Sequence, residues 1–212
     1  DARVGGMLSG KGGIVNIHMG DDGQMLDYLE RLKAETPLPA YHMLPTHMNR
    51  NPRLFQRGIA YAKDGGFVDF TTSSYGCFKD KGEVKPSAAL KQMLDAGVSV
   101  DHITFSSDGQ GSLPVFDESG ALASLQAARL DSLYQEMADA VQQENIPLET
   151  ALRAVTSNSA DRLKLSGKGR IQEGCDADLV LVTPDTLDIQ TVICLGQVMM
   201  RDQELLVKGS FE

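Results

Sequence analysis

Three side chains able to bind a metal stand at the ends of β-prone runs: His18 in "NIHMGD", His47 in "LPTHMNR" and Asp108 in "FSSDGQGS". Imidazole nitrogen and carboxylate oxygen are zinc ligands, and a catalytic zinc keeps an open position where water becomes a nucleophile near neutral pH. A lone His or Asp at a strand end is more often a hydrogen-bonded structural residue, but three on separate strands point to one mouth. Arg50, in the loop just after His47, suits a carboxylate-bearing substrate through a bidentate pair. Its other reading is a loop arginine that caps a helix or pairs with an aspartate. Ser112 and the backbone of Gly109 and Gly111 could donate hydrogen bonds to an anion, although glycines there also permit a tight turn. His42 and His102 fall at the starts of their strands, at the opposite end, and read as ordinary surface or hydrogen-bonded histidines.

The elements that must position these residues alternate. "GGIVNIHMG" reads as a short buried strand, with Asp21 and Asp22 as cap candidates for the helix "GQMLDYLERLKAE". "YHMLPTHM" is the second strand, and Asn51 caps a helix with Pro52 at its first position and an apolar stripe of Leu54, Phe55, Ile59 and Ala62. "GFVDFTTSS" and helix "PSAALKQMLDAG" form the third unit. The strand before Asp108 and a long helix over 120–145 form the fourth. Consecutive βα units imply a parallel sheet, and the lack of G-x-G-x-x-G after the first strand favours a barrel over a dinucleotide-binding sheet. Four units make half of an eight-stranded barrel, with working groups at the C-terminal ends of its strands. One further helix, over 147–165, is followed by short β-runs in "DADLVLVTP", "TVICLGQVMM" and "ELLVKG". The expected fold is α/β, the second half of a (β/α)8 TIM barrel over 1–167 with C-terminal strands of a small β-sandwich over 168–212.

With 42% apolar residues the 212-residue chain can fill a core, and 29 acidic against 20 basic residues give a net charge of −9. That charge repels phosphate backbones and anionic membranes, so neither nucleic acid nor membrane is expected as a partner. Cys77, Cys175 and Cys194 are few, odd in number and far apart, which fits a reducing, cytoplasmic location rather than a disulfide framework. No run approaches the length of a membrane span, and no signal peptide pattern is present. "DARVGGMLSGKGG", beginning at Asp1, reads as a mid-chain loop.

In order and interval, "HMGD", "LPTHMNRN", "GGFVDFTTS" and "FSSDGQGS" resemble the C-terminal half of the bacterial isoaspartyl dipeptidases, a family of the amidohydrolase superfamily. "SNSADRLKLSGKGRIQEGCDADLVLV" resembles a pattern shared across that superfamily. The resemblance implies a binuclear zinc metalloprotease that hydrolyses β-aspartyl dipeptides. His18 and His47 would hold the more exposed zinc, and Asp108 would ligate the other and carry a proton from the bridging hydroxide to the leaving amine. Arg50 and Ser112 would hold the substrate carboxylate. Family members also use an H-x-H and a carboxylated lysine, and neither is found in this sequence. The chain is therefore expected to be the second half of an enzyme, inactive alone and requiring the N-terminal half, with a homo-oligomer as the assembled form. The alternatives are another amidohydrolase, such as an N-acyl amino acid deacylase or dihydroorotase, and a non-catalytic folding or assembly module.

Overall fold

The structure, a computed structural model, describes residues 1–117 and 119–209. The chain divides into two compact units, Asp1–Lys164 and Leu165–Glu212.

The first unit opens on helix α1 (Ala2–Ser9), where the sequence predicts a loop. Glycine usually weakens a helix, but a Cβ on Gly6 would lie 2.5 Å from Gly13 Cα, so this glycine permits close packing. Gly10, at φ 69°, then ends the helix in the left-handed conformation that glycine tolerates.

Strand β1 (Val15–His18) leads to helix α2 (Asp27–Glu35), and strand β2 (Met43–Thr46) to helix α3 (Pro52–Lys63). Strand β3 (Val68–Thr71) precedes α4 (Tyr75–Phe78) and α5 (Pro86–Asp95), and β4 (Ile103–Ser106) follows. β1 pairs with β2 and β3 with β4, each in parallel, setting His18 opposite Thr46 and Thr71 opposite Ser106. β2 meets β3 through the Met48 N–H, which donates to the Asp69 carbonyl at 3.1 Å. Phe55, Phe70, Leu90, Met93 and Ile103 fill the core between strands and helices. β3 is buried throughout, whereas β1 is largely exposed, with Val15 at 45%. The expected burial of β1 is not found: only Ile17 is half-buried, the other three residues being exposed.

Asn51 caps α3, its Oδ1 accepting the Leu54 N–H at 2.9 Å, and Pro52 takes the first position. Asp21 and Asp22 do not cap α2. Asp22 closes a turn by accepting the Gln24 N–H at 2.7 Å, and α2 starts later.

The long helix expected over 120–145 is a hairpin followed by a shorter helix. Strands β5 (Ser112–Phe116) and β6 (Leu122–Ala127) pair antiparallel, and α6 spans Ser132–Gln142. Asp117 Oδ1 accepts the N–H groups of Ser119 and Ala121, and Gly120 takes φ 82°, which nucleates the reversal. Cross-strand bonds thus override the helical propensity of Ala, Leu and Gln in β6. The last helix is likewise two, α7 (Leu148–Val155) and α8 (Ser157–Leu163), broken at Thr156 (φ −126°, ψ −90°). Asn158 on α8 donates to the carbonyls of Val100 and Ile103 at 2.7 and 2.8 Å.

The second unit is an antiparallel sheet of β7 (Leu179–Val182), β8 (Ile189–Cys194), β9 (Gln197–Arg201) and β10 (Glu204–Leu205), in the order β10-β9-β8-β7. Lys168 bridges Asp176 and Asp178, and the other Asp178 oxygen accepts the Leu195 N–H at 2.8 Å. Among the described residues of the whole chain, no helix is long and apolar enough to cross a membrane.

Candidate functional site

β1 ends on His18, β2 is followed at once by His47, and β4 reaches Asp108 two residues after its end. His47 and Asp108 have φ of 63° and 50°, a left-handed backbone that side chains other than glycine seldom adopt outside turns and functional sites. At His47 this turn places the imidazole between His18, at the end of β1, and Thr71 on β3. Its Nε2 lies 2.9 Å from Nδ1 of His18, and the rings meet edge to face at 65°. Its Nδ1 lies 2.6 Å from the Thr71 hydroxyl on β3.

The facing nitrogens are nearly the pair that zinc would hold, since Zn–N bonds of about 2.05 Å at a tetrahedral angle put two nitrogens about 3.3 Å apart. At 2.9 Å the two nitrogens share a hydrogen bond, and they would have to part by about 0.4 Å to become two corners of a zinc shell. Among the described residues no three His, Cys, Asp or Glu side chains close around one point, so Asp108 does not join the pair as a third ligand. Asp108 is still close enough for its charge to act on His47. Burial, foremost, and then His18 and Arg50 hold His47 below the usual imidazole range, against the opposite pull of Asp108.

Arg50 donates through Nε to Asp21 Oδ2 at 3.2 Å, and Asn51 Nδ2 donates to Asp21 Oδ1 at 2.9 Å. The Asn51 hydrogen bond, with Arg50 added, holds the Asp21 carboxyl below its ordinary range. Pairing with an aspartate, one of the two sequence readings of Arg50, therefore occurs, and it engages Nε. Ser112 opens β5 opposite Ala127 and is exposed, without a hydrogen bond to the other four candidates. Gly109 and Gly111 serve the turn: a Cβ on Gly109 would meet Leu130 Cδ2 at 2.1 Å, and one on Gly111 the Asp108 carbonyl oxygen at 2.7 Å. His42 and His102 place Nδ1 on the carbonyls of Gly13 and Gly66 at 2.8 and 2.5 Å, and so serve the opposite end of the strands.

Sequence reading missed the polar layer beneath the site. Asp69 is buried and accepts the hydroxyls of Thr46 and Thr104 at 2.6 and 2.7 Å and of Ser106 at 2.5 Å. Burial pushes its carboxyl up to about 6, against those hydroxyls. Glu83 is buried as well, and burial pushes it up to about 7 despite Ser74, Arg50 and Asn49. Its Oε1 accepts from Ser74 and Asn49, while Oε2 has no partner among the described residues. The available signal was alternation, because Asp69 and Thr71, like Thr104 and Ser106, share one face of their strands.

Parallel strands followed by helices bring His18 and His47 together at the strand ends, where enzymes built on such strands keep their working groups. Residues 15–199 match the amidohydrolase family, and the chain belongs to it. It is similar to the crystal structure of a β-aspartyl dipeptidase from Fervidobacterium islandicum bound to β-Asp-Leu, with 35% identity and a TM-score of 0.86. That match covers 99% of this chain and 54% of the other. A 5-methylthioadenosine/S-adenosylhomocysteine deaminase of Halobacterium salinarum is 32% identical over 138 residues, 56% of this chain and 30% of that protein. An allantoinase of Enterococcus faecalis is 34% identical over 102 residues, 46% of this chain and 22% of that protein. The chain thus spans about half the length of the solved dipeptidase and less than a third of these curated relatives.

Proposed function

We propose that this chain forms the second half of a (β/α)8 barrel in a zinc-dependent hydrolase of β-aspartyl dipeptides. The carrying observation is the convergence of His18 Nδ1 and His47 Nε2 at the ends of two adjacent parallel strands. The substrate class is supported by 35% identity, over nearly the whole chain, to the β-aspartyl dipeptidase. Because that likeness spans 54% of the dipeptidase, the other half of the barrel and the remaining metal ligands are assigned to a companion segment or polypeptide.

His18 and His47 would hold one zinc, with Asp108 serving the second. Bound zinc would supply an acidified water and Lewis acidity toward the scissile carbonyl. The chain's own residues do the rest. A carboxylate oxygen of Asp108 takes the proton from the attacking water and delivers it to the amine nitrogen as the C–N bond breaks. Arg50 holds a substrate carboxylate with its terminal guanidinium nitrogens while Asp21 occupies Nε, and the Ser112 hydroxyl donates to the same group.

A second reading, another amidohydrolase activity such as deamination or cyclic-amide hydrolysis, is favoured by the curated deaminase and allantoinase matches. The test is zinc content and turnover of β-Asp-Leu, adenosine derivatives and allantoin, for the chain alone and with a polypeptide equivalent to the uncovered half. Selective turnover of β-Asp-Leu by the zinc-loaded pair supports the proposal. Turnover of the other substrates alone rejects it, and zinc-free, inactive protein under both conditions points to a non-catalytic assembly module.

A further inference from the structure

We infer that Thr71 and Asn49 are positioning residues for His47: Asn49 pins the main chain of Thr71, and the Thr71 hydroxyl determines which His47 nitrogen remains free for a cation. The inference rests on the reading of His18 and His47 as zinc ligands.

After Thr46 the chain turns out of the β2 line through the left-handed conformation of His47, and its last main-chain link to β3 is Met48 N–H to Asp69. Thr71 lies beyond that link, buried to 1% exposure, where an unmatched N–H or C=O would be costly. Asn49 fills the place of the lost strand. Its Oδ1 accepts the Thr71 N–H at 2.9 Å, and its Nδ2 donates to the Thr71 carbonyl at 3.1 Å, so one side-chain amide acts as a further peptide unit. Asn49 is fully buried, and its Nδ2 also contacts Glu83 Oε1 and the Val84 carbonyl at 3.0 and 3.1 Å. The Asn49 carbonyl accepts the Val84 N–H at 2.8 Å. The loops after β2 and β3 are thereby fastened together.

Thr71 is held on the inward face of β3, with its hydroxyl 2.6 Å from His47 Nδ1. An imidazole nitrogen that faces zinc carries no proton, so the neutral ring must carry it on the other nitrogen. At His47 that nitrogen is Nδ1, and Thr71 Oγ1 is the acceptor within reach. Without it the ring keeps its contact with His18 but loses the acceptor that favours the Nδ1-protonated tautomer.

The test is Thr71→Val, which keeps the branched shape and removes the hydroxyl, with Thr71→Ser as the rescue. Zinc affinity is read by chelator competition and the His47 tautomer by 15N shifts of its ring nitrogens in zinc-free protein. Thr71→Val should weaken zinc binding about 10–100-fold and reduce the Nδ1-protonated population, while Thr71→Ser should recover most of both. Asn49→Asp, which loses the amide donor, should move both readouts in the same direction. A Thr71→Val protein with unchanged affinity and unchanged 15N shifts overturns the inference. Parent protein that binds no zinc overturns the zinc reading instead, and the 15N comparison still decides whether Thr71 sets the tautomer.

Discussion

The rings of His18 and His47 meet edge to face, Nδ1 to Nε2 at 2.9 Å, although 29 residues separate them in sequence. If this junction is half of a zinc shell, His18→Asn or His47→Asn should lower zinc affinity by about 100-fold or more, because a donor is removed outright rather than misaligned. The melting temperature of the zinc-loaded protein should fall with it, since a ligand bound only by the folded state stabilises that state. Equal zinc uptake by parent and both variants, measured by elemental analysis after dialysis, would remove the pair from any metal role.

Arg50→Met should raise KM for β-Asp-Leu by about tenfold or more while leaving zinc content unchanged, as expected for loss of a charge-assisted carboxylate contact. An unaltered KM would reassign Arg50 to holding Asp21 alone.

Glu83 gives a pH dependence of defined sign. Its carboxyl is raised from 4.5 to about 7, so the folded state holds the proton more tightly than the unfolded state. The resulting stability is fully present below pH 4.5 and is lost as pH rises through about 7, by ~3 kcal/mol in total. Asp69, raised to about 6, acts in the same direction. Glu83→Gln cannot titrate, so its stability relative to the parent should improve by that amount between pH 4 and 9, whatever the offset at low pH. Urea unfolding at several pH values measures the difference, and parallel stability curves would refute it.

The turn that carries Asp108 separates two glycines. Leu130 is 62% exposed and free to swing, so Gly109→Ala should cost under about 1 kcal/mol even though its Cβ begins 2.1 Å from Leu130 Cδ2. Gly111→Ala meets the main-chain oxygen of Asp108 itself, so it should cost about 1–3 kcal/mol and reduce turnover. The reverse order in thermal unfolding would show that the Asp108 turn is softer than its geometry implies.

Much of this was legible in sequence where one local rule sufficed. Asn51-Pro52 announced the start of α3 because cap and ring act within a few residues. His18 and His47 could be placed on one rim because both end apolar runs. The hairpin of β5 and β6 was hidden, since Leu122–Ala127 is composed of helix formers and only its pairing with Ser112–Phe116 makes it a strand. Helix α1 was hidden for the opposite reason, its two glycines signalling a loop while one of them, Gly6, packs closely against Gly13. Thr71, Asn49 and Glu83 went unnoticed because their importance lies in bonds to each other across 22 and 34 residues.

Asp69 also bears on how the strands choose their alignment. Its neighbour Phe70 faces the other way, packing against Phe55 and Phe105 at ring separations of 5.8 and 6.1 Å. Sliding β3 by a single residue would exchange the two faces, thrusting an acid among aromatic rings and a benzyl group among hydroxyls. Misaligned pairings are thereby penalised on both sides at once, so this carboxylate favours a single alignment of the sheet.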